Sequence, residues 1–236
     1  MVKLDIISDP ICPWCYIGKT LLDQALVARP DHPFEIEWHP FQLNPEMPEG
    51  GMDRRAYLEG KFGDQQAAAQ AYAPVLERAE AAGLKIDFAA ITRTPNTLDA
   101  HRVLHWAGIE HCQDRMAMAL FAAYFDEGRD IGDHEVLADV ADTLGMDGAI
   151  VRRLLASDAD RESIKARDAQ FREMGITGVP TFLVGGEHAV PGCQPVELWC
   201  KVIDDLAASG AACSRRAWLM RRKKTLGLCP QLSQRP

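Results

Sequence analysis

The chain has 236 residues, 47% hydrophobic and 25% charged, with a formal net charge of −8 at pH 7. That is enough for one large domain or two small ones with a substantial buried core. No apolar run reaches the length of a membrane span, and the acidic balance argues against nucleic acid as a partner of the folded body.

The first predicted element is a short strand, Val2 to Ile7, largely apolar but broken by Asp5. With a single early lysine and that break, the N-terminus does not read as a secretory signal, and a cytoplasmic protein is expected. Tyr16, Ile17, Leu21, Leu22, Ala25 and Leu26 then recur at helical spacing. Between strand and helix lies Cys12-Pro13-Trp14-Cys15, so Cys12 opens a helix and Cys15 sits one turn in. A helix start offers free N–H groups and partial positive charge, which favour a thiolate, the species that attacks disulfides. A partner cysteine three residues on can close the ring and release a mixed disulfide. The same pair also fits half of a zinc site, although no second short-spaced Cys/His pair follows, or two inert thiols.

Phe34 to Leu43 reads as a strand half-buried through Phe34, Ile36 and Trp38, with His39 on the opposite face as a candidate to line the site. Asn44 to Gly51 breaks the pattern and marks the first boundary. From Asp53 to about Ser157 only helical patterns occur, about five of them. These include an alanine-rich helix from Asp64 to Ala82, one opened by Thr94-Pro95-Asn96 and closed by Gly108, one through Met116 to Phe125, and one capped by Asp133. A polar-faced helix is predicted over Asp158 to Met174. Val179-Pro180 then leads into the apolar strand Thr181 to Val184, a Gly185-Gly186 turn, a partner strand over Glu187 to Val190, and a helix from Pro195 to Ala208. The order describes one α/β domain interrupted by helices.

Seven cysteines (Cys12, Cys15, Cys112, Cys193, Cys200, Cys213 and Cys229) argue by their odd number against a fully paired disulfide framework. Cys193, in a Gly/Pro-marked loop, is a candidate for a role near the redox pair. Residues 213–236 carry seven Arg and Lys and no acidic residue, leaving −15 for the rest of the chain. This basic stretch reads as a disordered extension or as a segment that meets an acidic surface.

Three stretches carry a resemblance to the DsbA-like family of the thioredoxin superfamily: Asp9 to Gly18, Gly178 to Phe182, and Trp38 to Pro45 taken with Asn96 to Arg102. The last set resembles the FrnE-like branch. The resemblance spans about residues 1–208. It implies an α/β thioredoxin fold with an inserted all-helical subdomain: a thioredoxin-like domain from 1–52 and 158–210, a helical insertion over 53–157, and a basic tail at 211–236. It further implies that Cys12 and Cys15 are catalytic, and that Trp14, Val179, Pro180 and Thr181 bind substrate, with Pro180 in a cis-proline loop offering backbone bonds to an extended peptide. A disulfide-containing protein or small thiol is the implied substrate, recycled by a partner the sequence does not name. No cofactor beyond the redox-active disulfide is implied, with glutathione as a possible co-substrate. Trp14 brings no charge where DsbA-like oxidants carry histidine, which implies a milder oxidant than DsbA. Kappa-class glutathione transferases resemble this fold but carry serine in place of the first cysteine. Glutathione-dependent transfer or isomerisation of small molecules is therefore the alternative function, and a non-catalytic zinc-binding or scaffold protein a further one.

Overall fold

The computed structural model describes residues 1–209, so the basic tail, Cys213 and Cys229 lie outside the described residues. Strand β1 (Val2–Ser8) is followed by α1 (Pro13–Ala28), with Pro13 in the first turn, where its missing N–H breaks no helical bond. Strand β2 (Phe34–Pro40) ends earlier than the sequence run predicts. Next come β3 (Met52–Asp53), α2 (Arg54–Phe62), α3 (Gln65–Ala81) and β4 (Arg93–Thr94). Helices α4 (Leu98–Ile109), α5 (Gln113–Phe125), α6 (His134–Thr143) and α7 (Gly148–Leu155) complete the helical stretch. Then α8 (Arg161–Glu173), β5 (Thr181–Val184), β6 (His188–Pro191) and α9 (residues 196–209) close the described chain.

Helix starts follow sequence chemistry. The side chains of Asp53, Asp64, Asp133 and Asp147 each accept a first-turn N–H, so α2, α3, α6 and α7 begin where an aspartate satisfies free donors. Three differences from the predicted pattern have physical causes. The two-residue strands β3 and β4 pair antiparallel inside a stretch read as helical only, being too short to leave an alternation in the sequence. Helix α4 runs past Gly108 because the turn is made at His111 (φ +56), where Cys112 N–H bonds back to Ala107 O. Helix α8 starts at Arg161 and not Asp158, since Asp160 sits at φ +59 with its carboxylate bonded to Trp106 Nε1 at 2.8 Å.

The main sheet has the order β2-β1-β5-β6. Strand β1 lies parallel to β2, with Ile7 beside His39, and antiparallel to β5, with Leu4 beside Val184. One face carries Leu4, Ile6, Trp38, Phe182 and Val184 into the main core, against Leu22 and Ala25 of α1 and Trp199 and Ile203 of α9. The other face sets Ile7 against Phe41 and Phe171 of α8. Because strand side chains alternate, Asp5 and His39 belong to that second face.

The helical stretch is bound to the sheet through β2 and α1. The Gln113 side-chain amide accepts from Trp38 N at 2.9 Å and donates to Trp38 O at 3.2 Å, occupying the sheet edge like a strand residue. Tyr16 stacks on Phe121 of α5, with ring centroids 5.3 Å apart, and Ile17 and Leu21 pack with Val75 and Ala79 of α3. Lys19 is fully buried between Asp23 and Asp114, whose other oxygen accepts from Trp38 Nε1. Among the described residues no helix is long and apolar enough to cross a membrane.

Candidate redox site

Cys12 is the N-cap residue of α1 and makes no side-chain cap. Its backbone is fixed by Cys12 N–H to Asp9 O (2.9 Å) and by Cys15 N–H to Cys12 O (3.0 Å). Its Sγ lies 3.6 Å from Val179 O. The Val179–Pro180 peptide is cis, Gly192 N–H donates to Pro180 O at 2.7 Å, and Thr181 Oγ1 donates to Gly178 O at 2.8 Å. A Cβ on Gly18 would stand 3.2 Å from Pro180 Cγ, so glycine at that point lets α1 lie against the Pro180 loop. The structure thus brings Cys12, Cys15, Val179 and Pro180 together. Trp14 is half-buried and packs against the cluster of Ile17, Leu21, Val75, Ala79 and Ala82.

Both cysteines are free thiols. Neither is exposed: Cys12 is 3% and Cys15 1% exposed, because the Pro180 loop covers the first and the core encloses the second. What separates them is environment. Burial pushes the Cys15 thiol well above its ordinary value, the facing Cys12 thiol adds to the push, and the Ser8 hydroxyl opposes it.

A buried carboxyl lies beside the pair, within the Asp9–Gly18 stretch. Asp9 is fully buried and links two loops by accepting Leu43 N–H at 2.6 Å and Ile11 N–H at 3.3 Å. Burial nevertheless pushes its carboxyl up to about 7. His101 Nε2 lies 4.0 Å from Asp9 Oδ1, but burial drives the imidazole down to about 3. Burial works against the charge on both groups, so at pH 7 the imidazole is neutral and the carboxyl only about half ionised, and the contact is not an ion pair. The signal in the sequence was the Asp-Pro before the cysteines; nothing local marked His101 as its neighbour.

Other candidates fall elsewhere. His39 does not line the cysteine site; its Nε2 bonds Asp5 Oδ1 at 2.6 Å on the α8 face, against Phe171. Asp5, Glu37 and His39 are the only three-residue group of metal-ligating atoms among the described residues. Lys3 bridges Asp5 (2.9 Å) and Glu37 (2.8 Å), and Arg167 pairs with Glu37, so protein cations already occupy the place of a metal. His101 and Arg102 are not solvated helix groups: Arg102 is fully buried and donates to Leu154, Ser157 and Ala159 carbonyls, each at 2.7 Å. Asn96 accepts from Gln42 Nε2 and Leu98 N–H and donates to Met47 O. Cys193 lies half-buried with its Cα 3.6 Å from the Gly18 Cβ position; burial pushes its thiol up, and Arg78 opposes that. Cys112 is buried at the start of α5.

A β2-β1-β5-β6 sheet with a cysteine pair at the start of α1 and a helical insertion before α8 is a thioredoxin fold. The chain belongs to the DSBA-like thioredoxin domain family, which matches residues 3–204. The uncharacterized protein YwbO of Bacillus subtilis is 28% identical over 208 residues, 86% of this chain and 96% of that one. A probable DsbA oxidoreductase from Streptomyces coelicolor has a similar crystal structure, with a TM-score of 0.77 and 29% identity over 87% of this chain and 89% of that one. The cytosolic disulfide reductase DsbM from Pseudomonas aeruginosa, solved with GSH, is similar in fold: TM-score 0.64, 17% identity, covering 87% and 99% of the two chains.

Proposed function

We propose that the protein exchanges thiols and disulfides through Cys12 and Cys15. The observation that carries this reading is the 3.6 Å approach of Cys12 Sγ to Val179 O, which sets a helix-start sulfur beside a backbone able to pair with an extended substrate. Cys12 thiolate attacks one sulfur of the substrate disulfide, forming a mixed disulfide and expelling the other sulfur as thiolate. Cys15 then attacks Cys12 Sγ, closing the Cys12–Cys15 disulfide and releasing the second substrate thiol. Two electrons pass to the substrate, and an external thiol such as glutathione reduces the pair again. Trp14, Val179, Pro180 and Thr181 position the substrate. Residues 1–52 and 158–210 form the thioredoxin-like domain and 53–157 the insertion. The Trp38–Pro45 and Asn96–Arg102 stretches support a place in the FrnE-like branch, and the odd cysteine number supports a reducing, cytoplasmic setting.

Insulin reduction by a glutathione-recycled assay tests this reading, with glutathione transfer to an electrophile run in parallel. Exchange that disappears in Cys12→Ser is the expected result. Conjugation of the electrophile with no disulfide exchange would overturn the proposal in favour of glutathione transfer.

A further inference from the structure

Three Lys or Arg side chains are buried among the described residues: Lys19, Arg54 and Arg102. Lys19 has Asp23 and Asp114 as counter-charges, and Arg102 has Asp99. Arg54, at 9% exposure, has neutral partners alone. Thr94 Oγ1 and the Tyr72 hydroxyl accept from its Nη1 and Nη2 at 3.3 and 2.8 Å, and its Nε has no partner among the described residues. The rings of Tyr57 and Tyr72, 5.9 and 5.5 Å from its Cζ, soften the cost of burial but bring no opposite charge. A buried cation without a counter-charge is costly, and buried charges are ordinarily paired.

Arg54 lines a cleft of about 340 Å³ between α2, α3 and the segment before β4, a size that suits a small molecule. Leu58, Ala68, Ala89 and Ile91 give that cleft an aliphatic wall. The carboxylates on its rim are already engaged: Asp53 accepts Ala56 N–H at 3.0 Å, and Glu59 pairs with Arg55 at 2.7 Å. Arg54 is also the first residue of the nine-residue helix α2, so the helix dipole adds positive potential at the same end. Neither the cysteines nor the Val179–Pro180 peptide borders the cleft.

We propose that this cleft binds a small organic monocarboxylate with an aliphatic body, the carboxylate accepting from Arg54 Nε–H and the body lying against Leu58, Ala68 and Ile91. One unpaired guanidinium calls for one negative charge, and its planar fork matches a carboxylate. The aliphatic wall selects against a bare inorganic anion, which has nothing to place there. The site belongs to the helical insertion and is separate from the thiol chemistry proposed above.

Titration of the full-length reduced protein with hexanoate, hexanol and inorganic phosphate tests the site, followed through backbone amide and arginine Nε–H resonances. Hexanoate should shift the Arg54 Nε–H signal and the Leu58 and Ala68 amides together and saturably. Hexanol has the same body without the charge and should bind about tenfold more weakly or worse, through loss of the charged hydrogen bond. Phosphate has the charge without the body and should also bind more weakly than hexanoate. In Arg54→Met the preference for hexanoate over hexanol should vanish. The three-ligand comparison on the wild-type protein decides by itself if Arg54→Met does not fold. No saturable hexanoate shift at these residues, equal affinities for hexanoate and hexanol, phosphate binding as tightly as hexanoate, or a preference that survives in folded Arg54→Met would each overturn the proposal.

Discussion

Around Cys12 the contacts are made chiefly by backbone, whereas in the helical insertion buried polar side chains make them. Cys12 Sγ meets the Val179 carbonyl and the Pro180 carbonyl receives Gly192 N–H. In the insertion, Arg102 ties the end of α7 and the loop before α8 through four carbonyls and Asp99. Reactivity therefore depends on two sulfurs and a chain path, and stability on side chains remote from them. The two properties should separate under mutation.

The largest effect expected is from Cys12→Ser, which should reduce insulin turnover to background while leaving the urea unfolding midpoint where it was. A midpoint shift equivalent to several kcal/mol of unfolding free energy would show that the sulfur also holds the fold. The converse is Arg102→Met. It strips a buried cation from its carbonyls and from Asp99 and should cost about 3–5 kcal/mol by urea titration, with Cys12 alkylation rates in the remaining folded protein unchanged.

Asp9 and His101 join the two regions, and their pH behaviour sharpens the contrast. With its folded carboxyl near 7 against 3.8 in the unfolded chain, Asp9 contributes stability that is fully present below about 4 and lost as pH rises to about 7. With its folded imidazole near 3 against 6.5, His101 contributes stability above about 6.5 that is lost as pH falls toward 3. The slopes oppose each other over a shared window. Relative to wild type, Asp9→Asn should gain stability with rising pH between about 4 and 6.5, and His101→Gln should lose it, by on the order of 4 kcal/mol at most. Parallel curves for all three proteins would show that the pair is not neutral inside.

The smallest effect is predicted for Gly18→Ala. Better helix propensity, about 1 kcal/mol, offsets the 3.2 Å contact with Pro180 Cγ, so stability should change by less than about 1 kcal/mol. Turnover of a peptide disulfide should fall severalfold as the loop gives way. Unchanged turnover would mean the Pro180 loop does not set the rate.

What was legible in the sequence was local or periodic. The strand before Cys12, the helix after it and the Gly185-Gly186 hairpin follow from neighbours within a few residues, and the aspartate caps and glycine stops marked most helices. The Pro180 loop beside Cys12 came from family resemblance, since no spacing rule joins positions so far apart. Arg102 reads as an ordinary helix-surface residue until α7 and α8 close over it. Likewise, the Asp9 carboxyl and the His101 imidazole shift only because the fold removes water from both. The start of α8 was misplaced for the same reason, Asp160 being turned away from capping by a tryptophan on another helix.

The pairing of β1 with β5, Leu4 beside Val184, also sets a schedule. On a ribosome adding about 5–20 residues per second, the paired β1 and β2 wait roughly 7–30 s for the strand that completes their sheet. Throughout that interval the inner edge of β1 has no partner, while Gln113 arrives much sooner to occupy the outer edge of β2. The nascent chain thus closes one side early and keeps the other open for its own late hairpin, leaving the cysteine pair without its proline loop until synthesis is nearly over.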